Sequence, residues 1–131
     1  MNIFLWVLQI VGGLYFIYTG ISHLIIPSGL PSIMSWMYEL SPTMHIIAAT
    51  AEILGGLGLI LPAVTRIQPR LVPLAAVGLS LVMIGAIAWH VQRGEFANIG
   101  INVGNLFFLA LIAYGRWKLV PLKDRSSNMP A

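Results

Sequence analysis

The chain has 131 residues, of which 58% are hydrophobic and 8% charged, and its mean hydropathy is +0.88. Soluble domains carry about a quarter charged residues, so this composition excludes an ordinary water-soluble fold. The formal net charge is +3, but the basic residues lie at the ends of apolar segments, which argues against a nucleic-acid-binding patch. The absence of cysteine excludes thiol redox chemistry, iron–sulfur clusters and Cys-based zinc sites.

The first apolar segment runs from Ile3 to Ile26 and stops at Pro27. It is longer than the apolar core of a secretory signal and no basic residue precedes it, so it predicts a spanning helix that is retained. Between Leu30 and Leu40 the apolar residues recur at helical spacing beside aromatic and acidic ones. This pattern predicts a short interfacial helix that lies over one end of the other helices as a lid.

Three further apolar segments complete the predicted fold, an all-α bundle of four transmembrane helices. The predicted spans are Ile3–Ile26, about Met44 to Leu61, Leu71–Val91 and about Asn98 to Tyr114. Ser41 and Pro42 form an N-cap and first-turn proline for the second span, and Pro62 is predicted to end it. Residues 1–122 therefore form the predicted membrane domain, and residues 123–131 a disordered cytoplasmic tail.

The basic residues give a predicted orientation. The second loop and the C-terminal segment share one side, and they contain Arg66, Arg70, Arg116, Lys118, Lys123 and Arg125. The opposite side contains only Arg93, so the positive-inside rule predicts that both termini are cytoplasmic. Tryptophans agree, because Trp6 and Trp117 fall at the inner interface and Trp36 and Trp89 at the outer one. We expect a multi-pass protein of a bacterial inner membrane.

One carboxyl group stands out within the predicted spans. An ionised side chain near the bilayer centre costs at least about 2.5 kcal/mol, so it needs a partner or a purpose. Glu52 has no charged neighbour in sequence, and the topology brings His23 and His90 to the same half of the bundle. We therefore predict that these three residues handle protons. The predicted ligand-binding residues are Phe16, Thr19, Met83, Asn102 and Asn105.

Polar residues in a membrane also serve as hydrogen-bonding contacts between helices, worth about 0.6 to 2 kcal/mol each. That structural role is favoured for Asn98, Asn102, His45 and Gln9. The histidines lie on different helices without the spacing of a metal or haem site, so no metal is expected and haem is disfavoured. No phosphate-binding Gly-rich loop and no nucleophile–base triad is visible.

Several segments, in this order and spacing, resemble the DoxX-like family of small four-helix membrane proteins, also called DoxX/DoxD-like. They are Gly-Ile-Ser-His-Leu at 20–24, the Ala-Glu-Ile-Leu-Gly-Gly stretch at 51–62, Leu-Val-Pro-Leu at 71–74, Gly-Glu at 94–95, Asn105, and Ala-Tyr-Gly-Arg at 113–116. The resemblance implies a membrane subunit associated with redox work, as in thiosulfate:quinone oxidoreductase and oxidative-stress complexes. Many relatives have Lys at the position of His23, so here a permanent cation is replaced by a group that titrates near neutrality.

The leading hypothesis is an accessory subunit that binds quinone, or another lipophilic molecule, in the outer half of the bundle. It would need no covalent cofactor, and a redox partner protein would supply electrons. One alternative is an assembly or chaperone-type protein without chemistry, as the resemblance implies for some animal relatives. A minimal transporter is a weaker alternative, because inverted repeats with broken helices are absent. The expected surroundings are the lipid bilayer, with no nucleic acid, and a homo-oligomer stays open.

Overall fold

The computed structural model describes residues 1–128, and this range is helical with turns and contains no strand. Four long helices run through it: α1 Asn2–Leu24, α2 Pro42–Thr65, α3 Leu71–Arg93 and α4 Phe96–Tyr114. A π-helical turn, Gly115–Leu119, extends α4. Each of the four is long and apolar enough to cross a membrane, which confirms the predicted all-α transmembrane bundle.

The lid predicted between the first two spans is a 3-10 helix, Ser32–Tyr38, which we call the lid helix. Ser41 caps α2 as predicted, since its hydroxyl accepts a hydrogen bond from the backbone N–H of Met44 at 3.2 Å. The prediction that Pro62 ends α2 is wrong. The helix continues to Thr65, because a proline removes only one backbone hydrogen bond and the following residues still find their acceptors.

The described part of the chain after α4 includes a 3-10 turn at Arg125–Asn128. The backbone N–H of Arg125 donates to the carbonyl of Arg66 at 2.8 Å, which holds this turn beside the loop between α2 and α3. The disordered tail predicted for residues 123–131 falls partly on positions 129–131, which lie outside the described residues. We call the bundle end that carries the lid helix the lid end and the opposite end the basic end.

Consecutive helices pack against each other, whereas α1 and α4 touch much less. A continuous apolar core runs between them, formed by Phe16, Leu59, Ala63, Val72, Ala76, Leu79, Met83, Leu109 and Ile112. Many other large apolar side chains point outward, for example Ile3 at 80% and Phe107 at 67% exposure. Such a surface would be unstable in water, and it is the surface that a bilayer covers.

Glycines set the closest helix contact, the one between α1 and α2. A Cβ added to Gly56 would lie 2.6 Å from the carbonyl oxygen of Gly13, and one added to Gly13 would lie 2.9 Å from that of Gly56. Only residues without side chains allow two backbones to approach this closely. This contact fixes the register of α1 against α2, and with it the position of Glu52 relative to α1.

We predict that Gly56→Ala lowers the thermal stability of the detergent-solubilised protein, by about 1 to 3 kcal/mol of unfolding free energy, because the new methyl meets backbone. Gly78→Ala is the matched control. A Cβ at Gly78 meets nothing within 4 Å, so that variant should unfold like the wild type. Equal melting temperatures for the two variants would contradict the close α1–α2 contact.

Candidate functional site

A cavity of about 360 Å³ lies among the four helices in the half of the bundle nearest the lid. Its walls are mainly apolar, and polar side chains from α1, α2, α3 and α4 enter it at a few places. The cavity is lined by all eight residues predicted as site residues, namely Phe16, Thr19, His23, Glu52, Met83, His90, Asn102 and Asn105. Their convergence on one cavity is a structural fact, and their functional roles stay predictions.

Glu52 is buried in this cavity at 6% exposure, on the α2 face that looks toward α1. Its Oε2 atom lies 3.8 Å from Nε2 of His23, too far for a hydrogen bond and near enough for a strong electrostatic interaction. Within residues 1–128, Oε2 has no hydrogen-bond partner. A buried carboxyl oxygen without a partner is costly, so it marks a place where a polar atom of a bound molecule would be stabilising.

His23 continues from Glu52 into a chain of buried imidazoles. Its Nδ1 lies 2.8 Å from Nδ1 of His45, and Nε2 of His45 lies 2.8 Å from the carbonyl oxygen of Met37. A carbonyl oxygen only accepts, so Nε2 of His45 carries the hydrogen. When both rings are neutral, Nδ1–H of His23 donates to Nδ1 of His45, and Nε2 of His23 is left as a bare acceptor that faces Glu52.

The second predicted histidine belongs to a different network. His90 is buried, and its Nδ1 lies 3.1 Å from Oε1 of Glu95, which also accepts a hydrogen bond from Nε of Arg93 at 2.7 Å. Slight burial pushes the pKa of Glu95 upward, but hydrogen bonds from Arg93 and His90 outweigh it, and the pKa lies below its ordinary value. Glu95 is therefore an anion that orients His90, and of the two predicted histidines only His23 lies within 4 Å of the Glu52 carboxyl group.

The lid helix closes the cavity with an aromatic cluster. The Trp36 ring lies 5.2 Å from the His90 ring, 5.9 Å from the His23 ring and 6.2 Å from the Trp89 ring. Arg93 stacks on Trp89 at 4.5 Å and pairs with Glu39 just beyond the lid helix. These contacts tie the lid to α1 and α3, so the end of the cavity toward the headgroups is covered.

Backbone carbonyls of the lid helix are held by side chains of the bundle. Nδ2 of Asn98 donates to the carbonyl of Ile33 at 3.1 Å, and His45 donates to that of Met37. The Tyr38 hydroxyl donates to the carbonyl of Pro27 at 2.8 Å. Both Asn98 and His45 therefore have the structural role favoured from the sequence.

The remaining amides of α4 have partners away from Glu52. Nδ2 of Asn102 donates to the backbone carbonyl of Asn98 at 2.9 Å, and Nδ2 of Asn105 donates to the Tyr15 hydroxyl at 3.2 Å. The two amide groups line the cavity wall opposite α2. Across residues 1–128, no cluster of three His, Cys, Asp or Glu side chains is arranged to hold a metal ion.

Comparison with protein-family models gives a match to the DoxX-like family over residues 7–126, which is most of the chain. The chain belongs to the DoxX-like family. Comparisons with curated proteins and with solved structures gave no match. Family membership agrees with the four spans and with a multi-pass protein in contact with the lipid bilayer.

The cavity of this DoxX-like protein is not sealed from the outer surface of the bundle, because several residues that line it are exposed. Met44 and Ile47 of α2 line it and are exposed, as are Tyr15 of α1 and Ile101 of α4. Between α2 and α3 the wall includes Gly85, where an added Cβ would meet nothing within 4 Å. These exposed residues lie on the sides of the bundle that face lipid, while the lid covers its end.

Sequence reasoning missed three contributors to the site of this DoxX-like protein. Trp36 and Trp89 were interpreted only as interfacial anchors, yet both line the cavity. His45 was interpreted as structural, and it also fixes the tautomer of His23. The sequence contained a signal that His45 lies near the site. It precedes Glu52 by seven residues, about two helical turns, which places both near one face of α2. Its partner on α1 could not be read from one sequence.

We predict that Asn98→Leu loosens the lid helix, because the carbonyl of Ile33 loses its side-chain donor. The measurement is the rate at which a maleimide modifies Met37→Cys in a chain that has no native cysteine. Loss of a hydrogen bond worth about 1 kcal/mol should speed this reaction about fivefold. Ser35→Cys, on the exposed face of the lid, should react at the same rate with either residue at position 98. If Asn98→Leu does not change the rate at which Met37→Cys reacts, the claim that Asn98 anchors the lid helix is contradicted.

Proposed function

We propose that this protein binds quinone, or a similar lipophilic carbonyl compound, in the lid-end cavity and serves as the membrane subunit of a redox complex. The single observation that carries the proposal is the unpartnered Oε2 of Glu52 beside the bare Nε2 of His23. In its protonated form Glu52 can donate to a quinone oxygen within reach of both atoms, and the bare Nε2 of His23 can accept from the O–H of the quinol that forms there. The apolar remainder of the cavity suits the ring and the start of an isoprenoid tail.

Quinone reduction consumes two electrons and two protons and yields the quinol. Two oxygens are protonated: Glu52 in its protonated form can donate one proton, and His23 can donate the second once its Nε2 has taken up a proton. The chain offers no cofactor motif, and the electrons are assigned to a partner redox protein that docks on the bundle. In the reverse direction Glu52 and His23 would accept the protons of a quinol, and the electrons would leave through the same partner.

The openings of the cavity support a ligand that arrives through the bilayer. Apolar side chains such as Ile47 and Ile101 surround them, and the lid with its Glu39–Arg93 ion pair covers the end toward water. A water-soluble substrate would need the opposite arrangement. Lipid-side entry also keeps the proton-handling groups away from bulk water, where their protons would exchange freely.

A purely structural role for Glu52 has less support from the geometry. A residue that only links helices is expected to make hydrogen bonds to its neighbours, as Gln9 does with the carbonyl of Leu59 at 2.9 Å. Glu52 interacts with the Thr19 side chain, but its buried Oε2 has no partner within residues 1–128 and the residue faces the cavity. A glutamine at this position could form the same hydrogen bonds between helices without the free-energy cost of burying an ionisable group, so a structural role alone does not require an acid.

We predict that Glu52→Gln keeps the melting temperature in mild detergent within a few degrees of the wild type but lowers the content of bound quinone about tenfold. The shape is retained, while the exchangeable proton and its hydrogen bond to the quinone oxygen, worth about 1 to 1.5 kcal/mol, are lost. Quinone content is measured by mass spectrometry of organic extracts.

Asp124→Asn is the matched control, because it makes the same chemical change at the basic end, outside the lid-end cavity, and should leave quinone content unchanged. Wild-type quinone content in a stable Glu52→Gln protein would refute the assignment. A stable Glu52→Gln together with an unstable Glu52→Leu, both with full quinone content, would point to a structural role instead.

We also propose that both termini face the cytoplasm of a bacterial cell and that the lid faces outward. The support is the excess of basic residues at the basic end, where Arg66, Arg70 and Lys118 lie, over the single Arg93 near the lid. This orientation would place the cavity in the outer leaflet half.

The orientation is tested by labelling single cysteines with a membrane-impermeant maleimide. Ser35→Cys in the lid helix should react in intact cells, and Ser126→Cys should react only after the membrane is permeabilised. The reverse pattern would show that the protein is inserted the other way round. A matched reaction of both variants in detergent controls for their intrinsic reactivity.

A further inference from the structure

The basic end contains a second cavity, of about 500 Å³, between the start of α3 and the end of α4. Two cations line it, Arg70 before α3 and Arg116 in the π-helical turn, together with the apolar side chains of Leu74 and Trp117. It is separate from the lid-end cavity and shares no lining residue with it. Nothing in the proposed quinone chemistry uses it.

Arg116 is unusual because it is a buried cation with incomplete partners. It is 3% exposed, and its Nη1 donates to Oδ1 of Asn2 at 2.7 Å and to the carbonyl of Val120 at 3.1 Å. Its Nε donates to Oε1 of Gln9. Its Nη2 is buried and has no partner in the part of the chain that the structure describes.

All partners of Arg116 are neutral. Neither the amides of Asn2 and Gln9 nor a backbone carbonyl balances its charge, and no carboxylate within residues 1–128 forms an ion pair with it. A buried charge without a counter-charge is strongly unfavourable in a membrane protein. The neighbouring Arg70 adds a second positive charge, and the acidic residue that interacts with it, Asp124, lies on the C-terminal segment.

These observations call for an anion that supplies several acceptor oxygens. Phosphate suits a guanidinium best, because its oxygens accept parallel N–H bonds. Leu74 and Trp117, both exposed on the side of the bundle, provide apolar surface directly beside the two arginines. Basic pockets at helix ends with adjacent apolar surface are typical of binding sites for phospholipid headgroups.

We propose that Arg116 and Arg70 bind one phosphate group, that of an anionic phospholipid, whose acyl chains lie along Leu74 and Trp117. The bound headgroup links α1 to the start of α3 and the end of α4, because Arg116 also donates hydrogen bonds to Asn2 and Gln9 of α1. Lipid occupancy then stabilises the α1–α4 seam at the basic end, the seam with the fewest helix–helix contacts of its own. The site is independent of quinone binding.

The test uses the full chain in detergent after its lipids have been removed. Three probes are added separately: dioleoylphosphatidylglycerol, dioleoylphosphatidylcholine and inorganic phosphate. We expect phosphatidylglycerol to raise the melting temperature saturably, and native mass spectrometry to show one retained molecule. The zwitterionic lipid should act at least about tenfold more weakly, because its headgroup has no net charge.

Arg70→Gln is the decisive variant, since Arg116→Gln would also break the contacts to α1 and unfold the protein by another route. We expect Arg70→Gln to weaken phosphatidylglycerol binding about tenfold, the loss of one charge-assisted contact. Lys118→Gln removes the same charge nearby but outside the cavity, and should change binding less than about twofold.

Equal effects of Arg70→Gln and Lys118→Gln, or equal stabilisation by the two lipids, would overturn the site. Stabilisation by inorganic phosphate alone to the same extent as by phosphatidylglycerol would show a site for free phosphate and overturn the lipid as its source. Absence of any retained phosphatidylglycerol in the wild type would likewise overturn the proposal.

Discussion

A carboxyl group buried in an apolar bundle is unfavourable unless polar groups lie near it, and the arrangement of the lid-end half of this protein depends on this constraint. The glycine contact between α1 and α2 brings Glu52 to His23, and His45 fixes which nitrogen of His23 faces the acid. The lid helix supplies the carbonyl that sets the tautomer of His45. The packing of α1 against α2, together with the lid helix over them, therefore determines which ring nitrogen of His23 faces Glu52.

The fold was predictable because its signals are local. Four apolar segments of spanning length, an N-cap at Ser41 and prolines between segments are each readable without knowledge of partners. The error at Pro62 arises because a proline near a helix end interrupts one hydrogen bond without forcing the chain to turn. The helix stops at Arg66, whose backbone takes the left-handed conformation. Gly or Asn usually marks such a helix end, so an arginine at this position gives no sequence signal for it.

The convergence of the predicted polar residues on one cavity was predictable, but the aromatic members of its lining and the pairings between side chains were not. Glu52, His23 and the α4 amides were found because polar residues are rare inside a bilayer and must face the interior. Which of them touch depends on rotation and register between helices, and a single sequence carries little information on either. Thus Asn105 contacts Tyr15, and His90 pairs with Glu95. Arg116 was counted only as a topological charge, and its burial became apparent from its contacts with α1.

The two ends of the bundle use opposite solutions to the same electrostatic problem. At the lid end the acid keeps a partner that can share a proton, whereas at the basic end the guanidinium is permanently charged and needs an external anion. Each leaves one polar side-chain atom unpartnered, and in the part of the chain that the structure describes the other buried side-chain nitrogen and oxygen atoms have hydrogen-bond partners. Each of these unpartnered atoms belongs to a residue that lines a cavity, and this is the basis for proposing a ligand in each cavity.

The most direct test of the central claim is an experimental structure of the protein in lipid nanodiscs saturated with a short-chain ubiquinone. The account predicts the quinone ring inside the lid-end cavity, with one carbonyl oxygen within about 3.2 Å of Oε2 of Glu52 and on the side of Nε2 of His23. A quinone bound elsewhere, with Oε2 of Glu52 satisfied by another side chain and the cavity closed, would contradict it.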